Sequence, residues 1–235
     1  MSRRVVVVTG SAGGIGTAIY KRFAREDDVV IGLDKVDGCD VTIAADCERA
    51  VEQILATHGR IDVLCNNAGI ASVGDVVTST PDDWQRVFEV NVFGVANMSR
   101  AALPAMRVAG SGAIVNTCSV AASVGLVERA VYSASKGAVL ALTKAMAADE
   151  AQHGIRVNCV SPGTVASPWV ERLAAAAPDP SAVKEALRRR QPLGRLVSCD
   201  EVAEAVAYLA SPTTFTSGAD FLLDGGITGM RLVTS

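Results

Sequence analysis

Apolar residues follow two different spacings along the chain, and the two spacings alternate. Continuous apolar runs rich in β-branched residues are typical of strands buried on both faces of a sheet, and they predict strands at Val5–Val8, Val29–Asp34, Ile61–Asn66, Ala113–Cys118, Arg156–Val160 and Asp220–Leu223. Residues between these runs predict helices over Gly14–Glu26, Ala44–Thr57, Asp82–Val108, Tyr132–His153 and Cys199–Ala210. Strands that alternate with helices predict a doubly wound α/β fold, with a mostly parallel sheet covered on both faces.

The segment after the second predicted strand is too short to hold a helix and another parallel strand. Five residues, Lys35–Cys39, separate Asp34 at the end of the second strand from Asp40, where the end of a third strand is expected. A parallel crossover needs at least about 10–12 residues, so a helix and a full strand do not fit. We therefore predict a shortened or missing third strand/helix unit, with the chain crossing directly to the helix over Ala44–Thr57.

Proline and alanine modify two other segments. Pro104 is predicted to kink the long helix near its end, because proline removes a helical hydrogen bond. The Ala- and Pro-rich stretch Gly163–Pro192 is predicted to be looser, and about residues 163–192 are taken as a lid over the substrate. No repeat or linker interrupts the chain, so its 235 residues predict a single domain over residues 1–235.

Charge and hydropathy exclude several classes of protein. The 22 basic residues nearly balance the 25 acidic ones, for a formal charge of −3, so neither nucleic acid nor an anionic membrane surface is an expected partner. The apolar run Val5–Val8 is too short for a signal peptide, and no later stretch reaches membrane-spanning length without a charge. We therefore expect a soluble, cytoplasmic protein.

Cysteine and histidine spacings indicate neither a metal site nor disulfides. The six cysteines form no C-x-x-C pair and lie near no histidine cluster, which favours core thiols in a reducing compartment; they are Cys39, Cys47, Cys65, Cys118, Cys159 and Cys199. His58 and His153 each precede a glycine at a predicted helix end, where a donor side chain suits the free carbonyls. No metal is predicted.

A glycine-rich turn after the first strand predicts a dinucleotide site. The segment Thr9–Gly16 opens the first helix, where backbone N–H groups and the positive helix end bind a pyrophosphate. Asp34 lies 18 residues after Gly16, at the tip of the second strand, where a carboxylate accepts both hydroxyls of an adenosine ribose. Because that carboxylate would repel a 2′-phosphate, NAD is favoured over NADP, although the neighbouring Lys35 softens the preference.

Tyr132 and Lys136 lie four residues apart, with Ser119 thirteen positions upstream of the tyrosine. The four-residue spacing places phenol and ammonium on one helix face. A free phenol has a pKa of about 10 and is a poor base at neutral pH, but a nearby ammonium and an oxidised nicotinamide both favour the phenolate. The pair therefore predicts general acid/base chemistry.

The order of these segments resembles the short-chain dehydrogenase/reductase family over the whole chain. The matching segments are the turn Thr9–Gly16, Asn66-Asn67-Ala68-Gly69, Asn91, Ser119, Tyr132 with Lys136, and Ser161-Pro162-Gly163-Thr164-Val165. Each fragment is common alone, whereas the ordered set is specific. The resemblance implies a Rossmann-like single domain, a nicotinamide cofactor, alcohol and carbonyl chemistry, and a homodimer or homotetramer.

The resemblance also implies roles for four catalytic residues. Tyr132 would be the general acid/base, Lys136 would also hold the nicotinamide ribose hydroxyls, and Ser119 would donate a hydrogen bond to the substrate oxygen. Asn91 would hold a water that links Lys136 to solvent as a proton relay.

Matched motifs extend the predicted cofactor site. The full set is Gly10, Ala12, Gly14, Ile15, Gly16, Asp34, Asp40, Val41, Asn67, Ala68, Gly69, Tyr132, Lys136, Pro162, Gly163, Val165 and Ser167. Within it, Asp40 and Val41 match the pair that lines the adenine, and Pro162 with Gly163 begins the loop beside the nicotinamide. Ser167 stands where the family commonly has threonine, and it keeps the hydroxyl.

The substrate wall is predicted from the segments after Gly69, over Val120–Val131, and from Val165 to about Pro192. Its residues are Val120, Val124, Leu126, Val165, Trp169 and Leu173, with Glu128 and Arg129 as polar contacts. A mainly apolar pocket favours an alicyclic, aromatic or acyl-bearing secondary alcohol over a bare sugar. The run Arg188-Arg189-Arg190 suits an anionic substrate tail, but such a run is more often a solvated helix face.

The sequence therefore predicts an NAD-dependent oxidoreductase that interconverts a secondary alcohol and a ketone. One alternative is a dehydrogenase of cyclic diols that forms catechols, because relatives with a shortened region after the second strand include such enzymes. Another is an NADP-linked 3-ketoacyl reductase, which Asp34 disfavours. A nucleotide-binding regulatory protein without turnover is the alternative from a different class, and the intact catalytic set disfavours it.

Overall fold

Parallel strands form the central sheet of the computed structural model, which describes residues 3–230. The strands are β1 (Val5–Thr9), β2 (Val29–Leu33), β3 (Val63–Asn66), β4 (Gly112–Thr117), β5 (Ile155–Pro162), β6 (Val165–Ala166), β7 (Val197–Ser198) and β8 (Asp220–Leu223). Six of them pair in the order β2-β1-β3-β4-β5-β8, while β6 pairs with β7 outside the sheet. Every pairing in the sheet is parallel, which confirms the predicted Rossmann-like α/β fold.

Helices cover both faces of this sheet. They are α1 (Gly14–Ala24), α2 (Ala44–His58), α3 (Pro81–Phe88), α4 (Gly94–Ala109), α5 (Ala130–Glu150), α6 (Pro168–Ala175), α7 (Pro180–Arg189) and α8 (Cys199–Ala210). The α1/α8 core on one face contains Phe23 and Leu209, and the α2/α4 core on the other contains Ile54, Met98 and Met106. The sheet is therefore the middle of three layers.

β1 shows why the strands are continuously apolar. Val6 and Val8 belong to the α1/α8 core, whereas Val5 and Val7 belong to the α2/α4 core. Because successive side chains of a strand point to opposite faces, a strand covered on both sides needs an apolar residue at every position.

The shortened unit after β2 is confirmed. Lys35–Asp37 form one 3-10 turn, which ends at Gly38 with φ +86°, and no full crossover helix lies between Asp34 and Asp40 in this described segment. β2 is therefore an edge strand of the sheet, and Asp34 stands at its open tip.

The long helix predicted over Asp82–Val108 is divided in the structure. A π-helical segment over Glu89–Phe93 separates α3 from α4, and α4 continues as α-helix across Pro104. The interruption therefore surrounds Asn91. A π turn displaces one set of backbone hydrogen bonds without requiring a particular residue type, so the periodicity did not reveal it.

The segment predicted to be loose contains two helices, and that prediction is wrong over α6 and α7. α6 begins at Pro168 and α7 at Pro180, each at the start of its helix. Proline is favoured there, since a first-turn N–H has no helical acceptor. Asp179 caps α7 by accepting hydrogen bonds from the N–H groups of Ser181 and Ala182, both at 3.0 Å.

The cysteines and histidines occupy structural positions. All six cysteines are free thiols, of which five are buried and Cys199 is half-buried. His58 and His153 directly precede Gly59 and Gly154, which both have positive φ. Within residues 3–230 no group of three or more His, Cys, Asp or Glu side chains could hold a metal ion, and no helix there is long and apolar enough to cross a membrane.

Candidate active site

The glycine-rich turn lies at the carboxyl edge of the sheet, between β1 and α1. Gly10 has φ +64°, a conformation that glycine adopts without steric cost. A Cβ atom at Gly16 would clash with the Gly10 carbonyl, and one at Gly14 would lie 2.7 Å from Cδ of Pro168. No side chain caps α1 at Gly13, which leaves first-turn N–H groups for an anionic ligand. The turn therefore fits a pyrophosphate.

Asp34 lies half-buried beside this turn. Its carboxylate accepts hydrogen bonds from the N–H groups of Ala12 at 3.0 Å and Val36 at 3.3 Å. The ammonium of the neighbouring Lys35 instead pairs with Asp40 at 2.7 Å. That hydrogen bond lowers the pKa of Asp40 and raises the pKa of Lys35. The carboxylate at the predicted ribose position thus stands beside a lysine that is already paired with another acid.

Asn67 and Ala68 follow β3 and lie against the glycine turn. Thr9 Oγ1 accepts hydrogen bonds from the N–H groups of Asn67 and Ala68, both at 3.0 Å. Asn67 Nδ2 donates to the carbonyls of Thr9 and Gly10, at 3.1 and 3.2 Å. One threonine therefore positions two predicted cofactor residues. This role was not predicted, and its only signal is a hydroxyl at the end of an all-valine run.

Lys136 lies near the start of α5 and is only 4% exposed. Its ammonium donates to the carbonyl of Thr117 at 2.8 Å and lies 5.8 Å from the centre of the Tyr132 ring. It makes no other hydrogen bond to residues 3–230, so two of its three N–H groups remain for a ligand. The structure thus brings together the phenol and ammonium that the sequence spacing paired.

Asn91 is completely buried in the π-helical segment, and its side-chain amide is engaged at both ends. Oδ1 accepts from the Ile70 N–H at 2.8 Å, while Nδ2 donates to the Ile70 carbonyl and to Ser135 Oγ, both at 3.0 Å. Ser135, which was not predicted, donates in turn to the Tyr132 carbonyl at 2.7 Å. The network ties the chain after β3 to the first turn of α5.

Gly69 lies between two of the predicted catalytic residues. A Cβ atom there would be 3.3 Å from Asn91 Oδ1 and 3.5 Å from Lys136 Nζ. The absence of a side chain keeps open the space beside both polar atoms, as a bridging water requires.

Ser119 follows β4 and begins a short 3-10 turn over Val120–Ala122. The side chain is buried, and its Oγ accepts a hydrogen bond from the Ala121 N–H at 3.2 Å. That bond occupies the oxygen as an acceptor and leaves the hydroxyl hydrogen to donate elsewhere. The turn contacts α5, which brings Ser119 towards the helix that carries Tyr132.

The loop after β5 is held by a residue that was not predicted. Gln191 is 1% exposed and donates to the carbonyls of Thr164 at 3.3 Å and Arg195 at 2.7 Å. Its Oε1 has no hydrogen-bond partner among the described residues, and a Cβ atom at Gly163 would clash with it. Gln191 therefore joins the lid to the Pro162–Gly163 segment.

The side chains of some predicted cofactor residues are engaged elsewhere in the protein. Val41 lies in the α2/α4 core and Val165 in the α1/α8 core, so only their backbone atoms are available to a cofactor. The Asp40 carboxylate accepts from the Thr42 N–H and hydroxyl, at 3.0 and 2.8 Å.

The residues of the predicted substrate wall differ in exposure. Val120 is buried and Trp169 is 38% exposed. Val124, Leu126, Leu173 and the lid residue Ser167 are half-buried.

The chain is similar to several dehydrogenases and reductases. A family model described as Enoyl-(Acyl carrier protein) reductase matches residues 30–228. L-fucose dehydrogenase from Bos taurus is 36% identical over 95% of this chain and 88% of that protein. Dehydrogenase/reductase SDR family member 6 from Rattus norvegicus is 38% identical over 95% of this chain and 96% of that protein.

Solved structures with the same fold include ligand-free and coenzyme-bound proteins. Aldohexose dehydrogenase of Thermoplasma acidophilum, ligand-free, has a TM-score of 0.91 at 33% identity and covers 99% of this chain and 97% of its own. The 3-ketoacyl-(acyl-carrier-protein) reductase of Brucella melitensis, complexed with NADH, has a TM-score of 0.86 at 31% identity, and the match covers 96% of this chain and 98% of that one. ElxO with NADP bound has a TM-score of 0.89 at 25% identity, and the match covers 97% of this chain and 100% of that one.

Proposed function

The chain belongs to the short-chain dehydrogenase/reductase family, and from this premise we propose that it is an NAD-dependent oxidoreductase that interconverts a secondary alcohol and a ketone. The observation that carries the proposal is the nearly buried Lys136 ammonium, 5.8 Å from the centre of the Tyr132 ring. The reaction would take place in a single domain, under a lid formed by about residues 163–192.

Asp34 supports NAD as the coenzyme. A carboxylate at the ribose accepts hydroxyl hydrogens and repels a 2′-phosphate, and Lys35 offers little counter-charge because it pairs with Asp40. The glycine turn and Asp34 would hold the pyrophosphate and the adenosine ribose. When bound, the nicotinamide supplies the hydride acceptor or donor.

Tyr132 would move the proton of the reaction. Its phenolate takes the proton from the substrate hydroxyl during oxidation, and its phenol returns a proton during reduction. The Lys136 ammonium lies 5.8 Å from the centre of the Tyr132 ring and has N–H groups left for ribose hydroxyls. Ser119, whose oxygen already accepts from a backbone N–H, would donate its hydroxyl hydrogen to the substrate oxygen and hold it against Tyr132.

Asn91 would act by position rather than by touching the substrate. Its amide is bound to Ile70 and Ser135, so it fixes the wall of the space beside Gly69. A water in that space would lie between Asn91 and Lys136 and carry protons to solvent.

Three other substrate classes have specific support, and one further alternative belongs to a different class of protein. L-fucose and aldohexose dehydrogenases among the similar proteins make a sugar the second candidate substrate. The short turn after β2 keeps a cyclic diol under consideration, and the similarity to a 3-ketoacyl reductase keeps a ketoacyl substrate. A protein that binds the coenzyme without turnover is the alternative from another class.

A substrate panel tests the proposed activity. Purified protein with NAD+ is offered aliphatic, alicyclic and aromatic secondary alcohols, cyclic cis- and trans-diols, and aldohexoses including L-fucose, while NADH formation is followed by absorbance. Turnover of the secondary alcohols supports the proposal, and preferential turnover of sugars or diols assigns the substrate to that class. Inactivity towards every compound, with NADH binding intact, supports the binding protein instead.

Coenzyme titration tests the role of Asp34. NADH should bind at least about tenfold more tightly than NADPH, a difference of about 1.4 kcal/mol, and Asp34→Ser should reduce that ratio to about threefold or less. Asp82→Ser removes a carboxylate from the exposed start of α3 and should leave the ratio unchanged. Tighter NADPH binding by the wild-type protein would contradict the assignment.

A further inference from the structure

Arg129 is a half-buried arginine without an acidic partner. Its guanidinium donates to the carbonyl of Glu128 at 2.9 Å and makes no other hydrogen bond or ion pair to residues 3–230. Arg4, which is also part-buried, pairs instead with the buried Asp28 at 2.6 Å. Because a buried charge is unfavourable without a partner, the free N–H groups of Arg129 indicate a site for an anion that comes from outside the chain.

The backbone around Arg129 is held rigidly. The Gly74 N–H donates to the Glu128 carbonyl at 2.9 Å, and the Ala130 N–H donates to the Gly74 carbonyl at 3.1 Å. Glu128 has φ +55°, an unfavourable conformation for a residue with a side chain. Such strain persists only where surrounding contacts fix it, and it concentrates at functional sites. Arg129 is therefore presented from a fixed position.

Arg129 lies beside Tyr132, and the positive charge of a second arginine acts on it. It is the N-cap residue of α5, three residues before Tyr132, and Tyr132 is close enough to act on its charge. Burial lowers the pKa of Arg129, the charge of Arg190 lowers it further, and Glu128 and Tyr132 raise it. Arg129 therefore carries a positive charge next to Tyr132, and the charge of Arg190 acts against it.

Arg190 differs from the two arginines before it. Arg188 and Arg189 both pair with Glu185, at 3.5 and 2.9 Å, as is typical of a solvated helix face. Arg190 has no hydrogen bond or ion pair from its side chain to any described residue. It directly precedes Gln191, the buried residue that joins the lid to the loop after β5. Arg190 is thus an exposed residue at the end of α7, next in sequence to the glutamine that contacts the loop after β5.

We infer that Arg129 and Arg190 together bind the carboxylate of the substrate, and that the substrate is a short hydroxy acid whose secondary hydroxyl lies at Tyr132. The inference rests on the proposed function, because it assigns a substrate class to the same site. A planar guanidinium matches a carboxylate through two parallel hydrogen bonds. A carboxylate between two arginines also relieves their repulsion, which a neutral alcohol does not. Because Arg129 is next to Tyr132, the hydroxyl and the carboxylate of the acid must be separated by only a few bonds.

Matched acids and esters test this inference. Straight-chain 2-, 3- and 4-hydroxy acids of four or five carbons and their methyl esters are compared as substrates with NAD+. The wild-type protein should show kcat/KM at least about tenfold higher for the best acid than for its ester. Arg129→Gln and Arg190→Gln should each lower kcat/KM for the acid by at least about tenfold, mainly through KM, and should lower the ratio of acid to ester kcat/KM by at least about threefold. Arg189→Gln, which removes the same charge from the neighbouring position, should behave as wild type.

The outcomes separate the inference from the proposed function. Turnover of neutral alcohols and esters with no preference for acids, or an acid preference that both variants retain, overturns the inference and leaves the oxidoreductase assignment intact. If neither acids nor neutral alcohols are oxidised, calorimetric titration of the same acids into NADH-saturated protein tests whether the anion site exists. Binding by wild type and Arg189→Gln that is lost in Arg129→Gln supports the anion site, and absence of binding by wild type overturns it.

Discussion

Lys136 is a buried ammonium whose hydrogen bonding is incomplete in the protein alone. An ammonium that leaves water is destabilising unless its donors are satisfied, and Lys136 is 4% exposed with one protein hydrogen bond, to Thr117. The remaining donors are unused in the protein alone. We therefore expect coenzyme binding to stabilise the fold, because ribose hydroxyls at the proposed site would complete the hydrogen bonding of this side chain.

Tyr132→Phe separates catalysis from binding. The change removes only the hydroxyl, so kcat should fall by roughly 10²–10⁴-fold, the usual contribution of a general acid/base. The dissociation constant for NADH should stay within about threefold of wild type, because Lys136 keeps its carbonyl partner and its free donors. Tyr208→Phe is the matched control, since Tyr208 is a 54% exposed tyrosine on α8 that packs on Phe221. Retention of more than a tenth of the activity by Tyr132→Phe would rule out the phenol as the proton carrier.

Residues that act through local spacing could be predicted from the sequence, and residues that act across the fold could not. Tyr132 and Lys136 are one helical turn apart, so their proximity follows from helix geometry. Thr9 holds residues 58 and 59 positions away in sequence, and Gln191 holds Thr164 at a separation of 27. Such contacts depend on strand order and on how the lid is placed, which no short pattern encodes.

Some helices could also be predicted from the sequence, whereas others could not. The bounds predicted for α8, Cys199–Ala210, are confirmed, and its start carries a capping box in which Ser198 and Glu201 satisfy each other's backbone N–H groups. The sequence did not predict α6 and α7, whose first-turn prolines resemble loop signals. Nor did it predict the π turn around Asn91, because the apolar residues there keep a helical spacing.

The capping box of α8 should make part of the stability depend on pH. Arg195, and then the Ser198 N–H, lower the pKa of Glu201 to about 2, below its unfolded value of about 4.3. The stabilisation is therefore present above pH 4.3 and is lost as the pH falls from about 4.3 towards 2. Because Glu201 is 37% exposed, solvent screens the pair, and we expect Glu201→Gln to lower the free energy of unfolding by only about 0.5–1 kcal/mol at pH 7.

Urea unfolding of the wild-type protein and Glu201→Gln between pH 7 and pH 2.5 measures this effect. The difference between the two proteins should shrink below pH 4. Glu52→Gln, on the exposed face of α2, should match wild type at each pH. A difference that is constant down to pH 2.5 would show that the glutamate acts by packing rather than by charge.

At the scale of the whole molecule, α4 and α5 carry more apolar surface than the sheet covers. Val108 at the end of α4 is 91% exposed, and Phe93 just before α4 is 54% exposed. Along α5, Ala141, Ala145 and Ala148 are exposed on one side of the helix, and small residues allow another helix to approach closely. We therefore expect the two helices to pair with those of a second copy across a twofold axis, in the homodimer or homotetramer that the family resemblance implies.

Ala141→Arg tests this pairing, because Ala141 lies midway along the exposed side of α5. A long charged side chain there would separate the facing helices, so light scattering should show a wild-type dimer or tetramer of the 24.3 kDa chain and a variant of half that mass. Ala56→Arg makes the same change at an exposed position of α2 and should keep the wild-type mass. Circular dichroism of both variants checks that each is folded. A monomeric wild-type protein, or an Ala141→Arg variant of unchanged mass, would place the α4–α5 surface against solvent instead of against a second copy.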